Sequence, residues 1–207
     1  SSDLTYKGFN NRTNVNLDNL YIVFDVSTIG AKNLLPIVMF IATDFVWSKV
    51  KEDRTQDKIV LLDEVWKLIN TNDTVAEYVL ELYKTIRGYG GGVVCATQDL
   101  TDFTALKNGM YGNRILSNSS AKIIMKIQSE NLNEIRRVFS LTEDEFDSIL
   151  AMKKGQGILI SNQDNVMVNV MASEKEDRLI TTDASKLRGY YGDSKQIERE
   201  QQRRIAG

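Results

Sequence analysis

Two carboxylates stand directly after a short apolar run, where they can support chemistry. The run is Ile59-Val60-Leu61-Leu62, and Asp63 and Glu64 follow it. At the end of a buried strand, the first carboxylate can hold Mg²⁺ against the phosphates of a nucleotide. The second can orient an attacking water and take its proton. The alternative is a strand that simply ends in two solvated acids.

A glutamine occupies the corresponding position after the next apolar run. Val93 to Thr97 reads as a strand, and Gln98 follows it about thirty-five residues after Asp63. If the two strands are neighbours, the Gln98 amide lies beside the two acids, where it can sense a terminal phosphate or hold the attacking water. A polar strand end is the simpler interpretation of Gln98 alone. The pair, with a helix between its members, favours a shared site.

Two arginines are candidates for stabilising the charge of a transferred phosphate. Arg87 follows the helix that precedes a glycine run, where it can act on the site of a neighbouring subunit. The alternative is a cation that complements the dipole at the end of its own helix. Arg114, in the segment Gly112-Asn113-Arg114-Ile115-Leu116, is a weaker candidate for the same role.

The sequence lacks the residues that several kinds of catalytic, phosphate-binding or metal site require. No GxxxxGK[ST] phosphate loop occurs, and the glycines of 88–92 follow a helix and precede a strand, which is the wrong order for one. We therefore interpret these glycines as a turn. With no histidine, Ser-His-Asp catalysis, Cys-His catalysis and His-ligated zinc are excluded. The single cysteine, Cys95, lies in an apolar strand and is interpreted as a core residue.

Composition is that of an average globular protein of 207 residues, with 42% hydrophobic and 26% charged residues. The net charge of -2 provides no global basic field for nucleic acid, although a local basic groove stays possible. The most apolar segment, Leu34 to Val46, is too short to span a bilayer. Any membrane association is therefore expected to occur through partners.

The elements that must position these residues follow from the apolar pattern. Buried strands are predicted at 20–24, 59–62, 93–97 and 121–127, and a hairpin at 158–170. Helices are predicted at 33–51, with Pro36 in the first turn, at 132–139, and after two capping boxes, Thr74 with Glu77 and Thr142 with Glu145. Apolar strands separated by helices predict an α/β fold with a parallel sheet covered on both faces.

The domain organisation predicted from composition is one domain with an extension. Residues 1–172 form the α/β domain, and residues 173–207 form a charged C-terminal extension. We interpret its last fifteen or so residues as a solvated or partner-dependent helix.

The same segments resemble a known family. Residues 58–69 (KIVLLDEVWKLI), 84–103 (KTIRGYGGGVVCATQDLTDF) and 112–128 (GNRILSNSSAKIIMKIQ) resemble the large ATPase of bacterial conjugation and type IV secretion. This is the VirB-four or TraC-like family, a branch of the FtsK/HerA P-loop motors. Residues 21–35 and 155–183 are also similar, so that the resemblance covers about residues 20–183. The Trp after Asp-Glu and the SNSSAKI segment favour the secretion branch.

The resemblance implies a RecA-like P-loop NTPase domain, with a mostly parallel sheet flanked by helices and a C-terminal β-hairpin. On this pattern Asp63 is the Walker B acid that holds Mg²⁺ through water, Glu64 the catalytic base, and Gln98 the sensing glutamine. Arg87 falls where family members carry a basic residue, and Arg114 is a further candidate contact for the nucleotide.

The family also implies a cofactor, partners and a location. Its members are thought to hydrolyse ATP with Mg²⁺ as homo-hexamers, on the cytoplasmic side at the inner face of the cell membrane. Type IV secretion channel and coupling proteins are the implied partners, with DNA as a further one.

One departure from the family is plain, because its members carry a Walker A loop upstream. We expect an excised C-terminal piece that is inactive alone, with a natural short relative as the alternative. Two other functions stay open: an FtsK/HerA-type DNA translocase, and a non-catalytic assembly module of a secretion channel.

Overall fold

A computed structural model describes most of the chain. It covers residues 19–27, 29, 34–69, 73–98, 100, 109–127, 132–161 and 164–192. The chain divides into two compact units, one of residues 1–98 with 102–118 and the other of residues 99–101 with 119–207. The division predicted at residue 172 stays a prediction.

The first unit is built around two parallel strands. Its elements, in chain order, are α1 (Leu35–Glu52), β1 (Lys58–Leu62), α2 (Val65–Ile69), α3 (Asp73–Thr85), a 3-10 turn (Ile86–Tyr89), β2 (Gly91–Cys95) and α4 (Met110–Asn118). Lys58 pairs with Gly91 and Leu62 with Cys95, in parallel register. Because the strands run the same way, both carboxyl ends lie at one edge of the pair. Pro36 lies in the first turn of α1, as predicted.

The core of the first unit lies between the helices and one face of β1 and β2. Val50, Leu82 and Ile86 are buried there, and Val60 and Val93 pack against them from the strands. Trp47 adds edge-on ring contacts to Tyr78 and Tyr89, with ring centroids 6.2 and 5.5 Å apart. These contacts hold α1, α3 and the 3-10 turn against the strands.

The prediction that β1 and β2 are covered on both faces is wrong for the described part of the chain. Ile59 is 77% exposed, Leu61 66% and Val94 48%. Side chains alternate across a strand, so Ile59 and Leu61 point away from the face on which Val60 packs. The apolar pattern correctly predicts two strands. It does not reveal that Ile59, Leu61 and Val94 lie on an exposed face in this part of the chain.

The predicted strand at residues 20–24 is also wrong. Leu20 is 97% exposed and Tyr21 84%, and the segment has no strand conformation. A strand persists only where a neighbour satisfies its backbone N–H and C=O groups. Within the described residues, β1 pairs with β2 and no strand pairs with this segment. Phe24 instead contacts the Phe45 ring edge-on, with centroids 5.6 Å apart.

Two local predictions in the first unit need correction. The capping box of Thr74 with Glu77 is wrong, because α3 already begins at Asp73 and Thr74 lies inside the helix. The glycine turn is shorter than predicted. Gly90 has a φ of +72° and ends the 3-10 turn, whereas Gly91 and Gly92 belong to β2. Glycine tolerates a positive φ without the clash that a side chain causes, so only Gly90 acts as the turn residue.

The second unit contains an antiparallel sheet with the order β3-β4-β5. Its elements are β3 (Ala121–Met125), α5 (Leu132–Phe139), α6 (Glu143–Ala151), β4 (Gln156–Ser161), β5 (Asp164–Asn169), α7 (Glu174–Ile180) and α8 (Ala184–Tyr191). The predicted hairpin is confirmed as β4 and β5, and the helix predicted at 132–139 as α5. The fourth predicted strand, β3, joins this hairpin antiparallel to β4, which the apolar pattern did not reveal.

Buried aliphatic residues on the sheet and on α5 and α6 form the core of this unit, among them Ile124, Ile149 and Ile158. The predicted Thr142–Glu145 capping box is confirmed, with both reciprocal hydrogen bonds present. The charged region after residue 172 contains α7 and α8, and α7 begins with a second capping box at Ser173. The helix predicted for the last fifteen or so residues lies outside the described residues.

Candidate functional site

The carboxyl ends of β1 and β2 are joined by backbone hydrogen bonds. Ala96 donates its N–H to the carbonyl of Leu62 at 3.0 Å, and Val65 donates to the carbonyl of Ala96 at 3.4 Å. These bonds place Asp63 and Glu64, which connect β1 to α2, beside the segment that leads from β2 to Gln98. The predicted neighbour relation of the two strands is therefore confirmed. Asp63 and Gln98 are exposed, and Glu64 is half-buried.

Asp63 is oriented by the backbone that follows it. Its Oδ1 accepts the N–H of Glu64 at 3.0 Å. A carboxylate that accepts a backbone N–H is held in one rotamer, which suits a role in positioning a cation or its water shell. The exposure of Asp63 leaves it accessible to a ligand from solvent.

Glu64 has an uncommon backbone conformation. Its φ is +48°, in the left-handed region that costs a side-chain-bearing residue roughly 1–2 kcal/mol. The conformation makes the sharp turn from β1 into α2, in which the Glu64 carbonyl accepts the N–H of Lys67 at 2.8 Å. Such conformations persist only where surrounding contacts compensate the strain, and they cluster at functional sites. The strain thus coincides with the residue predicted to be the base.

Trp66 is a functional candidate that sequence reasoning missed. Its indole N–H donates to Oε2 of the Glu64 carboxylate. Its ring also lies under the Lys67 ammonium, 5.3 Å from the ring centroid. The signal in the sequence was its position two residues after the candidate base, within the turn that leaves the strand.

The structure does not bring Arg87 to this edge. Arg87 lies in the 3-10 turn before β2, beside the amino ends of the strands, where Lys58 pairs with Gly91. Asp63 follows the opposite ends, and five strand residues span roughly 13–16 Å. Arg114 is exposed on α4, which packs on α3. The role of either arginine in a neighbouring subunit stays a prediction.

The side chains of Asp63, Glu64 and Gln98 offer the ligand types that suit Mg²⁺ beside the phosphates of a nucleotide. Carboxylate and amide oxygens are hard ligands, and protein-bound Mg²⁺ usually keeps several waters and takes only one or two carboxylates. No group of three or more His, Cys, Asp or Glu residues that could hold a metal occurs among the described residues. Asp63 would therefore share Mg²⁺ with water and phosphate oxygens. The residues that would cradle those phosphates are not found in the sequence.

Cys95, in the strand that leads toward Gln98, is not a nucleophile. Burial raises its pKa to about 11, although a hydrogen bond with Tyr83 opposes this effect. A thiol with such a pKa is almost wholly protonated near neutral pH and reacts slowly. The interpretation of Cys95 as a core residue is consistent with this environment.

Comparison with known proteins assigns the chain to a family. The TraG P-loop domain model matches residues 5–202. The chain belongs to the TraG P-loop domain family. Membership implies the use of a nucleotide and Mg²⁺ in general, and confirms the resemblance deduced from the sequence.

Relatives of this TraG P-loop domain are larger proteins. TraC of Escherichia coli K12 is 29% identical over 116 residues, which cover 55% of this chain and 13% of TraC. The type IV secretion system protein CagE of Helicobacter pylori is 27% identical over 145 residues, which cover 68% of this chain and 14% of CagE. The matched segments therefore span about one seventh of the length of each relative.

A solved structure confirms the fold class. VirB4 of Thermoanaerobacter pseudethanolicus matches with a TM-score of 0.69 and 25% identity, over 78% of this chain and 44% of that one. The predicted α/β P-loop NTPase fold is thus confirmed. In the part of the chain that the structure describes, no helix is long and apolar enough to cross a membrane.

Proposed function

We propose that the chain is the magnesium-binding and water-activating part of an ATP-hydrolysing motor that energises conjugative DNA transfer or type IV secretion. The observation that carries this proposal is the edge at which Asp63, Glu64 and Gln98 follow two hydrogen-bonded parallel strands. Family membership and the similarity to TraC, CagE and VirB4 support it.

Each of the three residues has a distinct role in this proposal. Asp63 would hold Mg²⁺ through a water ligand, its rotamer set by the N–H of Glu64. Glu64 would orient the attacking water and accept its proton. Gln98 would contact the terminal phosphate or the same water, which couples hydrolysis to the position of the following segment. Bound ATP·Mg supplies the phosphoanhydride to be cleaved and the positive charge beside it.

Hydrolysis in this proposal needs a phosphate-binding loop that the sequence does not contain. Most contacts to the phosphates come from backbone N–H groups of such a loop, so we expect this chain alone to bind nucleotide weakly. Calorimetric titration of ATP·Mg into the chain should give essentially no heat. Submicromolar binding would contradict the claim that the loop is required.

The assembly and its location belong to the same proposal. We infer a homo-hexamer in which Arg87 or Arg114 completes the site of a neighbouring subunit. Because Arg87 lies far from Asp63 in its own chain, only contact between subunits can bring it to a phosphate. Secretion channel and coupling proteins would hold the motor at the cytoplasmic face of the membrane, with DNA as a further partner.

Two other functions make different predictions. A non-catalytic assembly module would bind channel proteins equally well after Asp63 or Glu64 is substituted. An FtsK/HerA-type DNA translocase would need DNA to reach its full rate of ATP hydrolysis. Measuring the ATPase rate of the full-length gene product with and without DNA, and channel-protein binding by both variants, separates these functions from the proposed one.

The test of the proposed function compares two acids at opposite ends of β1. In the full-length gene product, Asp63→Asn should lower Mg²⁺-dependent ATP hydrolysis by at least about 100-fold, the scale of a lost catalytic electrostatic contact. Asp57→Asn is the matched control, since Asp57 is an exposed acid just before β1. Equal hydrolysis by the two variants would refute the role of the strand end.

A further inference from the structure

We propose that Trp66 is the positioning residue of Glu64, a role that rests on the proposed function of Glu64 as the base. The indole N–H holds the carboxylate in one place, so that the proton acceptor is set before substrate arrives. This assignment adds Trp66 to the roles that the resemblance gives to Asp63, Glu64 and Gln98.

The need for such a residue follows from the local geometry. Glu64 has three side-chain torsions and is only half-buried, so its carboxylate would otherwise sample several rotamers. The left-handed backbone fixes where the side chain starts but not where its carboxylate ends. A base misplaced by about 1 Å can cost on the order of 100-fold in rate. A hydrogen bond at the end of the side chain supplies the missing constraint.

Trp66 is itself held firmly enough to provide that constraint. The preceding residue, Val65, is completely buried, and its N–H is bonded to Ala96. The following residue, Lys67, donates its backbone N–H to Glu64 and places its ammonium over the indole ring. The backbone on either side of Trp66 is therefore held by hydrogen bonds, and the Lys67 ammonium contacts its ring. A cation over the ring draws electron density from the indole. The hydrogen bond from the indole N–H to a carboxylate is strengthened as a result.

The contact is tested first in this chain, without any assay of activity. The chain has two tryptophans, so ¹⁵N labelling of the indoles gives two N–H resonances, from Trp47 and Trp66. Glu64→Ala should shift the Trp66 resonance upfield and leave that of Trp47 in place, because Trp47 packs on Tyr78 and Tyr89 instead. An unmoved Trp66 resonance would overturn the proposal.

The effect on catalysis is tested in the full-length gene product. Replacing Trp66 with benzothienylalanine keeps the shape of the ring and exchanges the N–H for sulfur. We expect kcat to fall 10- to 100-fold while KM for ATP stays unchanged, because the acceptor is displaced and substrate contacts are not. Adding Glu64→Gln to this replacement should cause no further loss beyond Glu64→Gln alone, since both act through one carboxylate. The same replacement at Trp47 is the control and should leave kcat unchanged.

The outcomes separate this proposal from the one on which it rests. If Glu64→Gln abolishes hydrolysis and the Trp66 replacement does not change kcat, the positioning role is overturned and the proposed function stands. If Glu64→Gln hydrolyses ATP like the wild type, the proposed function itself fails. A reduced kcat that is equal for the Trp47 and Trp66 replacements would also overturn the positioning role.

Discussion

The left-handed backbone of Glu64 gives a prediction that reverses the usual order of alanine and glycine. At an ordinary helix or strand position, glycine is less stable than alanine by about 0.5–1 kcal/mol, because it loses more conformational freedom on folding. At a φ of +48°, alanine instead suffers a clash of its Cβ that costs roughly 1–2 kcal/mol and that glycine avoids. The second effect is the larger, so we expect Glu64→Gly to be more stable than Glu64→Ala by about 1 kcal/mol.

The comparison is designed so that the other contacts of Glu64 cancel. Both variants lose the carboxylate that accepts the Trp66 indole N–H, and both keep the backbone hydrogen bond to Lys67. Urea unfolding of the 207-residue chain, followed by tryptophan fluorescence, reports on the first unit, because Trp47 and Trp66 both lie there. The difference in unfolding free energy between the two variants then measures the backbone strain.

Glu77 provides the matched control for this experiment. It is an exposed glutamate in the interior of α3, where glycine should be less stable than alanine by about 1 kcal/mol. The account predicts opposite signs at Glu64 and Glu77. If alanine is the more stable residue at both positions, the strain at Glu64 does not exist, and the left-handed turn no longer supports a functional role for this strand end.

Three further predictions concern stability. Gly155→Ala should cost at least about 2 kcal/mol in a thermal melt, because its φ is +89° and a Cβ would lie 2.7 Å from a backbone oxygen; Gly92→Ala, with nothing within 4 Å, is the control. Tyr78→Phe should lower the unfolding free energy by about 1 kcal/mol, since its hydroxyl donates to the carbonyl of Thr43. Burial raises the Cys95 pKa from 9.0 to about 11, so the unfolded chain loses this proton first. Below pH 9 the protonated thiol leaves the free energy of unfolding unchanged. As pH rises to 11, that free energy falls by on the order of 2 kcal/mol.

Each of these predictions has an outcome that contradicts it. Equal melting temperatures for Gly155→Ala and Gly92→Ala would show that the turn tolerates a side chain. Wild-type stability of Tyr78→Phe would show that the hydrogen bond from Tyr78 on α3 to Thr43 on α1 adds nothing to the unfolding free energy. For Cys95, the loss between pH 9 and 11 should be smaller in Cys95→Ala, and an equal loss in both chains would assign it to other groups.

The meeting of the two strand ends was predictable from the sequence, because it follows from the parallel pairing of β1 and β2. Asp63 and Gln98 each follow an apolar run, and in a parallel pair such ends must meet at one edge. The structure has them there, joined by the bond from Ala96 to Leu62. The buried side of α3 is predictable for a similar reason, since Val75, Val79 and Leu82 recur at the helical period of 3.6 residues.

Features that depend on contacts distant in sequence were not predictable. The apolar run at residues 20–24 has the composition of a strand, but composition does not supply the neighbour that a strand needs. The exposure of Ile59 and Leu61 likewise depends on what lies over one face of the strands. The contact of Trp66 with Glu64 depends on a side-chain direction set by the left-handed turn at Glu64, and no periodicity encodes that direction.

The measurement that tests the central claim most directly is the separation of nucleotide binding from turnover in Glu64→Gln. In the full-length gene product, we expect this variant to bind ATP·Mg within a few-fold of the wild-type affinity. Its turnover should fall by at least about 100-fold, because the glutamine amide cannot accept the proton of the attacking water. Hydrolysis at the wild-type rate by Glu64→Gln would contradict the assignment of Glu64 as the base, and with it the site proposed at the ends of β1 and β2.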